Sequence, residues 1–239
     1  MVAWDGVPGR RAQSSTKGLV AVVVGTLLLL AVVRFAGAAS SSPPSGSYAF
    51  MDHQPGSAAP VTWSSCKPIH VVVNDAQAPP EGWGIVMDAL DQVQAASGLD
   101  FVVDGRSTAL PTYTVSSPDG TDWDPVLIAW TTPARSPQLR GNVDGYGGST
   151  TVSDPASGRK YYVTGQIALD APQLTRALHG PDGADGVRGV IVHELGHVIG
   201  LAHVRDGNET MARSTRRDGR LGPGDRAGLA LLGSGPCSG

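Results

Sequence analysis

The stretch HELGHVIGLAH, residues 193–203, carries the strongest structural and chemical pattern of the chain. His193 and His197 are four positions apart, so both imidazole rings project from the same face of a helix. Glu194 follows His193 directly and reaches a molecule bound beside that ring without being a ligand itself. This spacing predicts a helix that supplies two zinc ligands and a general base.

A turn after this helix is expected to supply the third ligand. Gly200 stands where the helix must end, because glycine readily adopts the left-handed conformation that ends helices. The chain then reverses and brings His203 back to the same point. Three neutral imidazole nitrogens leave the fourth position of a tetrahedral zinc ion open for water. The alternative is a histidine-rich helix end without metal, but three of the chain's six histidines lie in this stretch beside an acid.

The composition is that of a globular protein with many loops. Of 239 residues, 41% are hydrophobic and 16% are charged, and there are 32 glycines and 18 prolines. The formal net charge of −3 gives no basic surface of the kind that nucleic-acid binding requires. Nucleic acid is therefore not expected as a partner.

The N-terminal region has the pattern of an export signal. Residues 1–17 form a basic leader, and the residues that follow Gly18 are apolar. Residues 18–38 suffice to cross the roughly 30 Å core of a bilayer, and the basic leader keeps the N-terminus in the cytoplasm. The segment is either a signal anchor, which the long leader favours, or a signal peptide cleaved near Ala38. The remainder is then extracytoplasmic, membrane-anchored in the first case and secreted in the second.

The composition changes after this segment. Residues 39–47 are rich in Ser, Pro and Gly and predict a flexible linker, and residues 48–239 are long enough for one folded domain with a core. Cys66 and Cys237 lie at opposite ends of that domain. In an oxidising compartment such a pair predicts a disulfide. The alternative has Cys66 as a thiolate that blocks a metal in a latent form.

Hydrophobic periodicity predicts a single α/β domain with one mixed sheet. Helices are expected at residues 81–98 and 183–200, the second with Asp182 or Asp185 as its N-cap. The Gly-rich segment Gly145 to Val152 is ambiguous. Runs of β-branched residues predict strands at 68–75, 99–105, 124–132 and 159–170.

HELGHVIGLAH followed by Met211 resembles the active site of the metzincin clan of zinc metallopeptidases. Three further stretches are similar to the matrixins within that clan, so the resemblance covers roughly residues 48–239. They are WSSCKPIHVVVN at 63–74, GQIALD at 165–170 and LGPGDRAGLALLG at 221–233. The resemblance implies a metzincin-like catalytic domain with a mixed, mostly parallel twisted sheet beside the active-site helix.

The resemblance also implies roles for individual residues. His193, His197 and His203 bind one catalytic zinc ion, Glu194 is the general base, and Met211 lies in the turn beneath the metal. The substrate peptide lies extended along an edge strand, for which Gly145 to Val152 is the candidate. Structural calcium is left open.

Some positions near the motif depart from other members of the clan. Arg213, not a tyrosine, stands two residues after Met211, so a tyrosine ligand is not supported. Asp206 is expected to brace its loop, because His203 already holds the place of the third ligand.

His70 lies in an apolar strand and is expected in the core. The basic segment that begins at Arg213 is expected to be solvated; the alternative has it line the substrate pocket.

These observations predict an exported, membrane-anchored zinc endopeptidase that acts on peptides or proteins. Two alternatives remain open at this stage. One is another zinc-dependent amide hydrolase that acts on cell-wall fragments or small peptides. The other is a surface binding module that keeps zinc but has no turnover, although such a module has no need of Glu194.

Overall fold

A five-stranded sheet, ordered β2-β1-β3-β5-β4, organises the molecule. The computed structural model describes residues 46–113, 117, 122–213 and 218–237, all within one compact unit of residues 44–239. The predicted leader and membrane segment lie outside the described residues, as does the linker up to residue 45. In the described ranges, no helix is long and apolar enough to cross a membrane.

Four of the five strands run parallel, and the fifth runs antiparallel at one edge. The mixed α/β sheet predicted from the sequence is therefore confirmed. The ambiguous Gly-rich segment is the antiparallel edge strand. The strands are β1 (Ile69–Asn74), β2 (Phe101–Arg106), β3 (Val126–Thr131), β4 (Gly145–Ser153) and β5 (Lys160–Asp170).

Helices cover the sheet and build the core with it. They are α1 (Gly82–Ser97), α2 (Ala171–Leu178), α3 (Gly183–Ile199) and α4 (Pro223–Gly233). Helix α3 lies along β4 and β5 and packs against α1, which also contacts α4. Its residues from Gly189 to Ile199 are all buried, which agrees with their near-continuous apolar sequence. The helical part of the HELGHVIGLAH stretch, His193 to Ile199, is thus in the core, whereas His203 after the helix is exposed.

Two local features differ from the sequence-based expectation. Helix α2 was not predicted; it begins directly after β5 because Asp170 caps it, with Oδ1 accepting the N–H of Gln173 at 2.9 Å. His70 was expected in the core, and that prediction is wrong. In β1 the residues Ile69 and Val71 face the core, so the alternation of the strand turns His70 outward, where its Nδ1 lies 2.9 Å from Oδ1 of Asp104.

The two ends of the domain meet. Cys66 and Cys237 form the predicted disulfide, with 5.1 Å between their Cα atoms. Residues 46–63, called here the N-terminal arm, cross the C-terminal end of α3. Phe50 pairs antiparallel with Leu201 in an isolated β-bridge. The N–H of Met51 donates to the carbonyl of Gly200 at 2.8 Å, so the arm holds the turn that follows α3.

Candidate metal centre

Three histidine rings converge beside the end of α3. His193 and His197 leave the same side of the helix, with ring centroids 4.8 Å apart. The turn at Gly200 brings His203 back against both rings. Its Nε2 lies 3.1 Å from Nε2 of His193 and 3.3 Å from Nε2 of His197. Within the described ranges, this is the one group of three metal-ligating side chains close enough to share an ion.

The hydrogen bonds of two rings fix which nitrogen faces the centre. Nδ1 of His193 lies 2.7 Å from the carbonyl oxygen of Thr210, and Nδ1 of His197 lies 2.8 Å from that of Leu201. A carbonyl only accepts, so each Nδ1 carries the proton and each Nε2 turns a lone pair inward. A tetrahedral zinc ion with nitrogens at ~2.0–2.1 Å separates those nitrogens by about 3.3 Å. The donor set and its spacing therefore fit zinc.

Burial keeps these histidines neutral. It lowers the pKa of His193, and it lowers that of His197 to about 4. Burial also lowers the pKa of His203, and the positive charge of Arg213 adds to the effect. Because only a neutral imidazole binds a metal, all three rings are ready to bind at neutral pH.

Glu194 is buried beside the triad, on the side that faces β4. Burial raises the pKa of its carboxyl to about 8, against the opposing effect of a hydrogen bond from the backbone of Gly147. A divalent cation at the triad would pull this pKa down again, because opposite charge favours the carboxylate. Glu194 is thus placed to exchange a proton near neutral pH.

The glycines of β4 explain how a strand comes so close to Glu194. A Cβ on Gly145 would lie 2.8 Å from Cγ of Glu194, and one on Gly147 would lie 3.1 Å from its Oε2. A larger residue at Gly145 would overlap the side chain of Glu194, and one at Gly147 would crowd its carboxylate and its backbone carbonyl. The sequence showed these glycines, but nothing in it showed that Glu194 is what they accommodate.

The turn between the second and third histidine is held from two sides. Gly200 has φ 122°, and a Cβ there would lie 2.8 Å from the ring of Tyr162. On the other side, Nε1 of Trp63 in the N-terminal arm donates to the carbonyl of Val198 at 2.9 Å. That carbonyl belongs to the last turn of α3, where no helical partner is available. The predicted turn at Gly200 is present, whereas the role of Trp63 was not anticipated.

Met211 and Asp225 support the opposite side of the centre. The Met211 side chain is buried with its sulfur against Gly196 of α3. Asp225, in the first turn of α4, accepts the backbone N–H groups of Thr210, Met211 and Gly222. Since the Thr210 carbonyl accepts Nδ1 of His193, Asp225 is linked through one peptide unit to a ring of the triad. The sequence feature that could have indicated this role is an acidic residue, Asp225, in the first turn of α4.

Other candidate residues lie away from the triad or outside the described chain. Oδ1 of Asp206 accepts the N–H of Asn208 at 3.0 Å, so Asp206 braces its loop as expected. Residues 214–217, which contain two of the arginines predicted to be solvated, lie outside the described residues.

Comparisons with known proteins give limited support. No protein-family model matches the chain, and no curated protein matches it. Among solved structures it is similar to archaemetzincin from Methanopyrus kandleri, with 19% sequence identity and a TM-score of 0.41. The matched region covers 69% of this chain and 93% of the archaemetzincin chain. A TM-score below 0.5 does not establish a shared fold, so the site's own geometry carries the functional argument.

Proposed function

We propose that this chain is a zinc-dependent endopeptidase. The observation that carries the proposal is the convergence of three neutral imidazole nitrogens, 3.1 and 3.3 Å apart, beside a buried carboxyl group. Three nitrogen ligands with an open fourth position are the donor set of catalytic zinc sites. Zinc held by His193, His197 and His203 would lower the pKa of a water molecule and polarise a substrate carbonyl.

The protein residues supply proton transfer and positioning. Glu194 would take a proton from the attacking water and return it to the amine of the departing peptide segment. The backbone hydrogen bond from Gly147 holds the carboxyl in place for both transfers. The outer edge of β4 has no neighbouring strand in the described part of the chain, so an extended peptide can add itself there.

We further propose that the chain is a metzincin of the matrixin type. The supporting features are the HELGHVIGLAH motif, the packing of Met211 against the helix that carries it, and the bonds from Asp225 to the turn around Met211. An extracytoplasmic location is supported by the Cys66–Cys237 disulfide, since such bonds persist in oxidising compartments. Attachment to a membrane through residues 18–38 remains a proposal from the sequence alone.

The test is metal content and cleavage by the full-length chain. We expect one zinc per chain by emission spectroscopy and cleavage of a denatured protein into peptides. Glu194→Gln should keep the zinc but lose roughly 10²–10⁴-fold in turnover. His203→Ala should lose zinc as well. Glu81→Gln and His53→Ala, two exposed positions away from the triad, are the matched controls and should behave as wild type.

Each alternative function predicts a different result. Release of cell-wall fragments without cleavage of denatured protein would identify an amidase of another kind. Stoichiometric zinc with no hydrolysis of either substrate would indicate a binding module. A wild-type chain that retains no zinc, or a Glu194→Gln variant that remains fully active, would refute the proposal.

A further inference from the structure

An open cavity of about 450 Å³ runs along β4. Tyr113 and Tyr146 line one end of it, and Met51 and Asp52 line the other. Its floor includes Gly147, whose Cβ position lies 3.1 Å from Oε2 of Glu194. Glu194 does not itself line the cavity; Gly147 lies between the two.

Successive residues of β4 point to opposite faces of the sheet. Gly145 and Gly147 face Glu194, so Tyr146 and Gly148 face the opposite side of the sheet. A peptide added to the outer edge of β4 alternates in the same way. If one of its residues faces the metal, the side chains of the two adjacent residues emerge on the face that carries Tyr146.

The tyrosine end is a rigid aromatic wall. The rings of Tyr113 and Tyr146 meet edge to face, with centroids 5.2 Å apart and planes at 82°. Tyr113 has φ 56°, and within the described ranges no other residue except glycine has a positive φ. Oε1 of Gln166 accepts the N–H groups of Thr112 and Tyr113 at 2.9 and 2.8 Å and holds this conformation in place. Such strain persists only where surrounding contacts enforce it, and it is common at ligand sites.

Among the described residues that line the cavity, none at the tyrosine end is charged. Apart from its chain neighbours, no described residue lies within 4 Å of where a Cβ on Gly148 would stand, and Gly148 itself adds no side chain to the floor. Tyr146 is 47% exposed, so its ring is accessible to a ligand at the edge of the sheet. Among the described residues that line the cavity, the one acid is Asp52, at the far end, where its Oδ2 lies 2.9 Å from Nζ of Lys160. The chemistry that fits the tyrosine end is a large apolar side chain.

We propose that Tyr113 and Tyr146 form a specificity pocket that selects peptides with an aromatic or large aliphatic residue within two positions of the cleaved bond. This inference rests on the proposed peptidase function. It assigns the selected side chain to the face of the sheet opposite Glu194, while the bond to be cut lies on the face of Glu194.

The test compares peptides that differ at one position. The full-length chain is first given a mixed peptide library, and the cut sites are read by mass spectrometry. We expect enrichment of Phe, Tyr, Trp or Leu at one position within two residues of the cut. A pair of peptides carrying Phe or Gly at that position then gives a ratio of kcat/KM, expected to be on the order of tenfold or more in favour of Phe.

Variants then locate the pocket. Tyr146→Ala should bring the Phe-to-Gly ratio close to one, whereas Tyr146→Phe should preserve it. Tyr113→Gly removes the second ring while relieving its strained backbone, so a loss of selectivity in that variant does not reflect a failure to fold. Tyr161→Ala on β5 is the matched control, because Tyr161 does not line the cavity.

The possible outcomes distinguish a failure of the specificity pocket from a failure of the proposed peptidase function. A wild-type chain that cleaves no peptide refutes the peptidase function. A wild-type chain that cleaves without preferring a bulky residue near the bond refutes the pocket alone. The pocket is also refuted if the preference is unchanged in both Tyr146→Ala and Tyr113→Gly.

Discussion

Replacement of Asp225 by asparagine should weaken both the fold and the metal site. The carboxylate of Asp225 is buried and accepts three backbone N–H groups, from Thr210, Met211 and Gly222. Asparagine keeps one oxygen and turns an NH₂ group toward the remaining donors, so one or two of these amides lose their partner. Each buried amide left unsatisfied costs ~1–3 kcal/mol. The expected loss is about 1–6 kcal/mol, to be compared with the ~5–15 kcal/mol that stabilises a typical domain.

The effect on the metal follows from the Thr210 peptide unit. The peptide unit that joins Thr210 to Met211 has its N–H, that of Met211, accepted by Asp225, and its carbonyl, that of Thr210, accepts Nδ1 of His193 at 2.7 Å. If Asp225→Asn lets this peptide shift, His193 loses the partner that orients its ring. Loss of such a supporting hydrogen bond commonly lowers metal affinity by roughly 10–100-fold. The assays are urea unfolding of the metal-free chain and zinc competition against a chromophoric chelator.

Asp154 provides the matched control. Its Oδ1 accepts the N–H groups of Ala156 and Ser157 at 2.7 and 3.0 Å, but in an exposed turn where water can replace it. Asp154→Asn should leave the urea unfolding midpoint close to that of wild type, because water can take the place of the carboxylate. Unchanged unfolding in Asp225→Asn would refute the energetic argument. A destabilised variant whose folded form binds zinc as wild type would refute the link to His193.

Three further predictions concern other parts of the site. Gly147→Ala should lower turnover because its Cβ would displace the Glu194 carboxylate, whereas Gly84→Ala in α1, with open space around it, should not; steady-state kinetics compares them. Trp63→Phe should cost ~1–3 kcal/mol in urea unfolding, because the buried carbonyl of Val198 loses its donor. In metal-free protein the pKa of Glu194 is raised from 4.5 to about 8, so its stabilising proton is lost as the pH rises through 8. The free energy of unfolding of wild type, measured relative to Glu194→Gln, should therefore fall as the pH rises from 4.5 to about 8.

Local patterns predicted α3 and its end well. The spacing of His193 and His197 and the glycine at 200 are properties of a few neighbouring residues, and their physical effect is the same in any fold. The disulfide could also be predicted from the sequence, since the chain has only two cysteines. These features required no knowledge of which distant segments meet.

The missed features depend on long-range contacts. The bond from Trp63 to Val198 joins residues 135 positions apart, so no local pattern indicates it. The segment Gly145 to Val152 was the candidate edge strand, but the role of its glycines depends on the approach of Glu194 from α3. His70 was misplaced because an apolar run does not show which face of a strand is covered. In each case the role of the residue depends on a contact with a residue that is distant in the sequence.

The disulfide also makes most of this domain a covalent ring. Cys66 and Cys237 are 171 positions apart, so the whole sheet, all four helices and the histidine triad lie between them. By the chain-entropy relation such a long closure stabilises the fold by about 5 kcal/mol. A single backbone cut in the exposed turn at Ser157, between β4 and β5, would open the ring without releasing a fragment. The disulfide would thus hold both halves of the sheet together after one cut in this turn.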